Sequence, residues 1–244
     1  MRQVLALTLL SIATIATAAE VPTIPAQPIG VKKEQLFTDD FNRADLGTWK
    51  SVVPTFTVED NALKGTQTRI DAPAADGKPA VKGHQAVAGN DVPTKDSIIS
   101  CRFRFAGATS VSVEFDDRKF EGAHYGHICK IAITPTNVTL IDQKDGSMRN
   151  DIYEMKDFSQ KAERAKLLVG RSATFPNTLD ATAWHTLVLE TVDDAMRATI
   201  DDKPVAYLKS SGIAHPTKSK VELGCGGKDG FFDDLTIWNA EPVK

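Results

Sequence analysis

Cysteine is scarce: the 244-residue chain holds three, Cys101, Cys129 and Cys225. An odd number at these spacings excludes a disulfide framework and the common zinc patterns, so at most one bridge can form. Cys101 shares strand parity with Ile99, Phe103 and Phe105, and Cys129 with Ile131 and Ile133. That parity predicts buried thiols, with a single bridge as the alternative. Long apolar runs are also missing. The longest, at residues 4–18, falls short of the roughly 20 residues that a membrane helix needs, so no membrane partner is expected once it is removed. Basic charge is not in excess either. Lys and Arg number 29 against 32 Asp and Glu, for a formal charge of -3, and without a basic stripe a nucleic-acid partner is excluded. No internal repeat is found, and the length and composition fit one globular domain.

The apolar run at residues 4–18 follows Met1 and Arg2 and ends in small residues, Ala16-Thr17-Ala18-Ala19, spaced as an export peptidase requires. Residues 1–19 are therefore expected to be a cleaved signal, and the mature protein periplasmic or secreted. The absence of cysteine near the cleavage site argues against a lipid anchor. Residues 20–32, rich in proline, are expected to form an extended leader, and residues 33–244 the folded domain.

Within that domain the apolar residues alternate. "TFTVED", "SIISCRFRF", "TSVSVEFD", "HICKIAIT", "VTLID", "WHTLVLETV", "MRATIDD", "KVELGC" and "FFDDLTIW" each fit a half-buried strand. Asx-rich turns such as Glu59-Asp60-Asn61 and Asp193-Asp194 separate them, and many short strands so joined make a sandwich or barrel. One helix is predicted between Asp157 and Gly170, with Phe158, Ala162, Ala165 and Val169 on one face, capped by Asp157 and ended by Gly170. Residues 71–82 read as a long loop.

The polar residues gather on strand faces. In "TSVSVEFD", Val111, Val113 and Phe115 take one face, while Ser110, Ser112, Glu114 and Asp116 take the other. Arg102 and Arg104 oppose Cys101, Phe103 and Phe105 on the preceding strand. The short Ala106-Gly107-Ala108 link predicts a hairpin in which these arginines face the acids. Lys130 extends that face, and His84 precedes a strand of small residues that leaves room above the sheet. His124 and His127 lie in a glycine-containing segment able to bend over the sheet edge, where an imidazole serves as acid, base or ligand. The bland alternative is a solvated sheet face laced with ordinary cross-strand pairs. A second cluster comprises "LFTDDF" and "GFFDDLTIW", whose paired aspartates, Asp39 or Asp40 with Asp233 or Asp234, offer hard oxygen ligands for calcium if the two strands meet. Separate turn and cap roles are the alternative.

With these residues in view, the chain resembles the 3-keto-disaccharide hydrolase family and its concanavalin-like relatives, the family-sixteen glycoside hydrolases. The segments that carry the resemblance are "LFTDDFNRADLGTWK", "FTVEDNALKG", "FRFAGATSVSVEFDD", "GHICKIAITPTNVTLID", "GIAHPTK" and "FFDDLTIWN", in that order. It implies an all-β fold, a concanavalin-like jelly-roll β-sandwich of two antiparallel sheets with one short inserted helix. It also implies carbohydrate as partner, with cleavage of a glycosidic bond beside an oxidised sugar carbon. Family-sixteen enzymes carry an E-x-D-x-E or E-x-D-x-x-E strand whose outer glutamates do the chemistry. Here Glu114-Phe115-Asp116 matches the first half, but Arg118 and Lys119 stand where the second glutamate belongs. The expected site is therefore Glu114 or Asp116 as base and His127 or His124 as acid. Arg102, Arg104, His84 and Lys130 would contact substrate, and Asp40 and Asp233 would hold any calcium. A non-catalytic, lectin-like module using the same face is the alternative.

Overall fold

The computed structural model describes residues 21–75 and 79–244; the expected signal at residues 1–19 lies outside them. The nine alternating segments are all strands. In chain order the strands begin β1 (Gly30–Asp39), β2 (Lys50–Val53), β3 (Phe56–Glu59), β4 (Ala62–Thr66) and β5 (Ala86–Asn90). They continue as β6 (Ser97–Arg104), β7 (Ala108–Asp116), β8 (His127–Ile133), β9 (Asn137–Asp142) and β10 (Ser172–Pro176). The last five are β11 (His185–Val192), β12 (Ala195–Ile200), β13 (Lys203–Lys209), β14 (Lys220–Gly227) and β15 (Asp229–Pro242). Two antiparallel sheets result. The first runs β13-β12-β11-β6-β15-β4-β3, with β1 also paired to β15; the second runs β10-β9-β8-β7-β14-β5-β2. This is the jelly-roll sandwich expected.

The core lies between the sheets because inward residues alternate with outward ones on both. Ile99, Phe103 and Phe232 of the first sheet and Phe115, Ile131 and Leu223 of the second are all almost wholly buried, each contributing roughly 1.5–3 kcal/mol. Cys101, Cys129 and Cys225 sit in the same layer as free thiols, and burial pushes each thiol up to about 12.

The expected hairpin between β6 and β7 does not form. Phe105 is fully buried, and Ala106 and Gly107 adopt φ of 46° and 110°, a reversal that carries the chain across the core from the first sheet to the second. Each strand still points its apolar residues inward, so their polar faces end on opposite sides of the sandwich. Arg102 and Arg104 therefore lie on the outer face of the first sheet, away from Glu114 and Asp116. There Arg102 pairs with Asp233 at 3.3 Å and Asp234 at 3.4 Å, and both arginines stack on Trp184.

The segment joining β9 to β10 holds the inserted helix, shorter than predicted. A 3-10 turn at Phe158–Gln160 leads into α1 (Lys161–Leu167). Asp157 accepts from the Ser159 backbone N–H, and Gly170 has φ of 73° as a helix terminator needs. Its apolar face is not buried: Phe158 is 85% and Val169 66% exposed. The leader also differs from a free tail. Arg197 Nε donates to the Pro25 carbonyl, and Glu190 accepts from the backbone N–H groups of Ile29 and Gly30. A buried Arg197–Glu190 pair at 2.6 Å thus pins the leader to the first sheet, and β1 begins at Gly30, inside the expected leader.

Candidate functional site

The outer face of the second sheet carries a groove of about 700 Å³. Its floor is a patch of three adjacent strands. Glu114 on β7 stands in register with Lys130 on β8 and with Glu222 on β14. Asp116 stands in register with His127 and Lys220. His127 reaches this face through a bulge: Cys129 opposes Phe115 but His127 opposes Asp116, leaving Ile128 unpaired. In a regular ladder with Ile128 opposite Asp116, His127 would share the inward parity of Cys129 and Ile131, so the bulge re-aims it. Ile128 and Cys129 are both fully buried in consequence.

Three features keep volume above the floor. Gly224 on β14 lies opposite Ser112, where a Cβ would run into the Ser112 hydroxyl and the Gln85 amide. Gly226 similarly faces Ser110. The walls come from residues 83–85, including His84, and from Gln143 and Met148 in the link after β9. Tyr125 stands at the rim, 71% exposed and with φ of 51°.

The floor is a network of paired charges. His127 Nδ1 is 2.7 Å from Glu114 Oε1 and 2.8 Å from Asp116 Oδ1, so one N–H is shared by two carboxylates. Glu114 Oε1 also accepts from Gln143 Nε2 at 2.9 Å, and its Oε2 lies 3.2 Å from Lys130 Nζ. Arg118 bonds Glu222 Oε1 and comes within 2.9 Å of Asp116 Oδ2. The second contact is an ion pair without hydrogen-bond direction, because Asp116 Oδ2 accepts no hydrogen bond. Lys220 Nζ meets Glu222 Oε1 at 3.1 Å.

These contacts move the titrations apart. Burial alone would lower His127, but its bonds to Asp116 and Glu114 outweigh it and raise the imidazole to about 10. Burial would raise Glu114, yet the charge of Lys130 and the bonds from His127 and Gln143 hold it well below the usual carboxylate range. Asp116 moves the other way. Burial raises it, and the charges of Glu222 and Glu114 add to that rise against the pull of His127. At neutral pH the floor therefore presents an imidazolium whose Nδ1 is occupied and whose Nε2 meets no partner among the described residues.

The predicted residues thus divide. Glu114, Asp116, His127 and Lys130 converge, and His84 lines the same groove. His124 lies beside it, stacked on Tyr153 at 3.7 Å with its ring centre 6.4 Å from that of His127. Burial and the nearby charge of His127 lower its pKa. Arg102 and Arg104 are on the other sheet. The terminal strands do meet, with Asp39 paired to Leu235, but their aspartates have other duties. Asp39 accepts from Arg43 and Trp49, Asp40 accepts from the Asn42 backbone and side chain, and Asp233 pairs with Arg102. Among the described residues, the one group of three ligand types at metal spacing is Glu114, Asp116 and His127, within 4.8 Å of one another. That set does not suit an ion, because Lys130, Arg118 and the protonated Nδ1 already satisfy its charge.

Glu222, Arg118 and Gln143 were not anticipated. Strand parity holds a signal for Glu222: Val221, Leu223 and Cys225 are buried in the core, which sends Lys220, Glu222 and Gly224 to the groove face. The pairing of β14 with β7, however, spans about a hundred residues of sequence and leaves no local trace.

No family model and no curated protein matches the chain. Among solved structures it is similar to a Zobellia galactanivorans LamA variant in complex with laminaritriose and laminaritetraose. The identity is 12%, covering 86% of this chain and 100% of that one, with a TM-score of 0.55. SCLam, described as a non-specific endo-beta-1,3(4)-glucanase from family GH16, matches at 12% identity over 91% and 95% of the two chains, TM-score 0.54. The carbohydrate-binding module CBM66 from Bacillus subtilis matches at 13% over 79% and 96%, TM-score 0.50. At these identities the likeness establishes the fold, a concanavalin-like jelly roll.

Proposed function

We propose that the protein is an exported carbohydrate-active enzyme that binds a saccharide in the groove and cleaves a glycosidic bond beside a 3-keto ring carbon. The observation that carries this reading is the pairing of a fixed imidazolium with an open carboxylate on one groove floor. Glu222 Oε1 is held by Arg118 and Lys220, while nothing among the described residues meets its Oε2. Both oxygens of Glu114, by contrast, are engaged. The base role expected of Glu114 or Asp116 therefore passes to Glu222, and Glu114 and Asp116, both bonded to His127 Nδ1, become positioning residues that set its tautomer and charge.

A ketone at C3 acidifies the proton on C2. Glu222 takes that proton, and the electron pair moves into an enolate whose oxygen faces the cationic groups of the floor. Collapse of the enolate breaks the C1–O bond, and the departing oxygen takes the proton of His127 Nε2. Water then adds across the C1–C2 double bond, returning a proton to C2. No second glutamate of the E-x-D-x-E kind is needed, which fits Arg118 at that position.

A lectin-like role is the second reading, favoured by the ion pairs that hold most of the floor. Incubation with a 3-keto-glucoside separates the two. Free sugar released by the parent protein and lost by at least about a hundredfold in Glu222→Gln and in His127→Ala is the enzyme's signature, at the scale of general acid–base catalysis. Saturable binding with no product leaves the lectin.

A further inference from the structure

The groove is positive in a chain that is not. Its lining and floor hold Arg69, Arg118, His127, Lys130 and Lys220 against Glu114, Asp116 and Glu222, five positive groups less three negative, or +2. The whole chain is -3. The three carboxylates are shared among the four floor cations, and none reaches Arg69. That arginine, exposed at the groove mouth, donates its Nε to the Lys82 carbonyl at 2.9 Å; no described carboxylate pairs with it. A guanidinium fixed by one backbone bond keeps its remaining N–H groups as a fork for an anion. The groove also ends in Tyr125, whose exposed ring offers a flat apolar face to a sugar ring.

We infer that the ligand is an anionic saccharide, its acidic group at Arg69 and a neighbouring ring on Tyr125. This rests on the carbohydrate reading above and narrows it to a substrate class. A neutral glycan would leave the surplus positive charge of the groove unmatched, whereas a carboxylate or sulfate on the sugar answers it and gains steering from solution.

Isothermal titration with three oligosaccharides of equal length tests this: an oligogalacturonate, a sulfated galacto-oligosaccharide and a neutral galacto-oligosaccharide. The expected result is binding of at least one acidic sugar about tenfold tighter than the neutral one at low salt, the contribution of one charge-assisted bond. That margin shrinks as salt is raised. Arg69→Gln narrows the acidic-to-neutral ratio, and Arg69→Lys restores much of it. Whichever acid binds tighter identifies the source of the charge, and either supports the inference. Neutral sugar binding as tightly as both acids overturns it while leaving a carbohydrate groove in place. Failure of all three to bind overturns the inference and the carbohydrate reading together.

Discussion

Replacing His127 with Gln removes the imidazolium shared by Glu114 and Asp116, and the structure fixes the sign of the pH effect. The folded pKa rises from 6.5 to about 10, so the folded state binds this proton more tightly than the unfolded chain does. The stability gained is fully present below pH 6.5 and is lost as pH rises through 10. Each pH step of one in that window removes about 1.4 kcal/mol, so between pH 7 and 9 the parent loses about 3 kcal/mol through this group. His127→Gln lacks that loss. In the parent the raised titration of Asp116 and the lowered one of Glu114 act below this window; in the variant Asp116 loses the downward pull of His127 and rises further, which narrows the difference between the two curves without reversing its sign. Urea denaturation at pH 7, 8 and 9 measures it, giving a parent curve that falls toward the variant curve. A proton NMR titration supplies an independent reading, with the His127 ring still protonated at pH 8. Parallel stability curves, or a His127 midpoint near 6.5, would refute the shared-proton geometry.

Two further outcomes follow from the arrangement of the sheets. Because Arg102 lies on the outer face of the first sheet, Arg102→Ala alters saccharide affinity less than about twofold, whereas Arg118→Ala, which takes one of two cations from Glu222 and the ion partner from Asp116 Oδ2, lowers it about tenfold or more by titration calorimetry. Arg197→Ala leaves Glu190 buried without its cation and frees the Pro25 and Ala26 carbonyls. Thermal denaturation should show a loss of about 3–5 kcal/mol, and limited proteolysis should cut within residues 21–29.

The fold was legible because its signal is local. Alternation over six to nine residues specifies a strand with one buried face, and the Asx-rich turns mark where each strand ends. What alternation does not encode is which strand lies beside which. Ala106-Gly107 satisfies both a hairpin and a crossing between sheets, and the choice rests on Phe105, which must enter the core before the chain turns. The helix shows the converse limit. Its capping residues act as predicted, yet the face of Phe158 and Val169 meets no partner, because a short excursion between β9 and β10 has no sheet above it to bury against.

Half of the groove was visible for the same reason. Ser112, Glu114 and Asp116 alternate on one strand, and Lys130 follows by parity on the next. His127 is a different case: counted from Cys129 it belongs in the core, and only the unpaired Ile128 turns it outward beside Asp116. The position of the imidazole therefore depends on a backbone irregularity, and its charge depends on two carboxylates brought near by sheet registry. Were Ile128 paired with Asp116, as a ladder without the bulge requires, His127 would point inward and leave Glu114 and Asp116 facing each other without the shared proton. The two negative charges would then have to be relieved by Lys130 and Arg118 alone. The bulge is thus what lets one sheet face carry an acid pair and a cation in contact, and the chemistry proposed for Glu222 depends on that contact being kept.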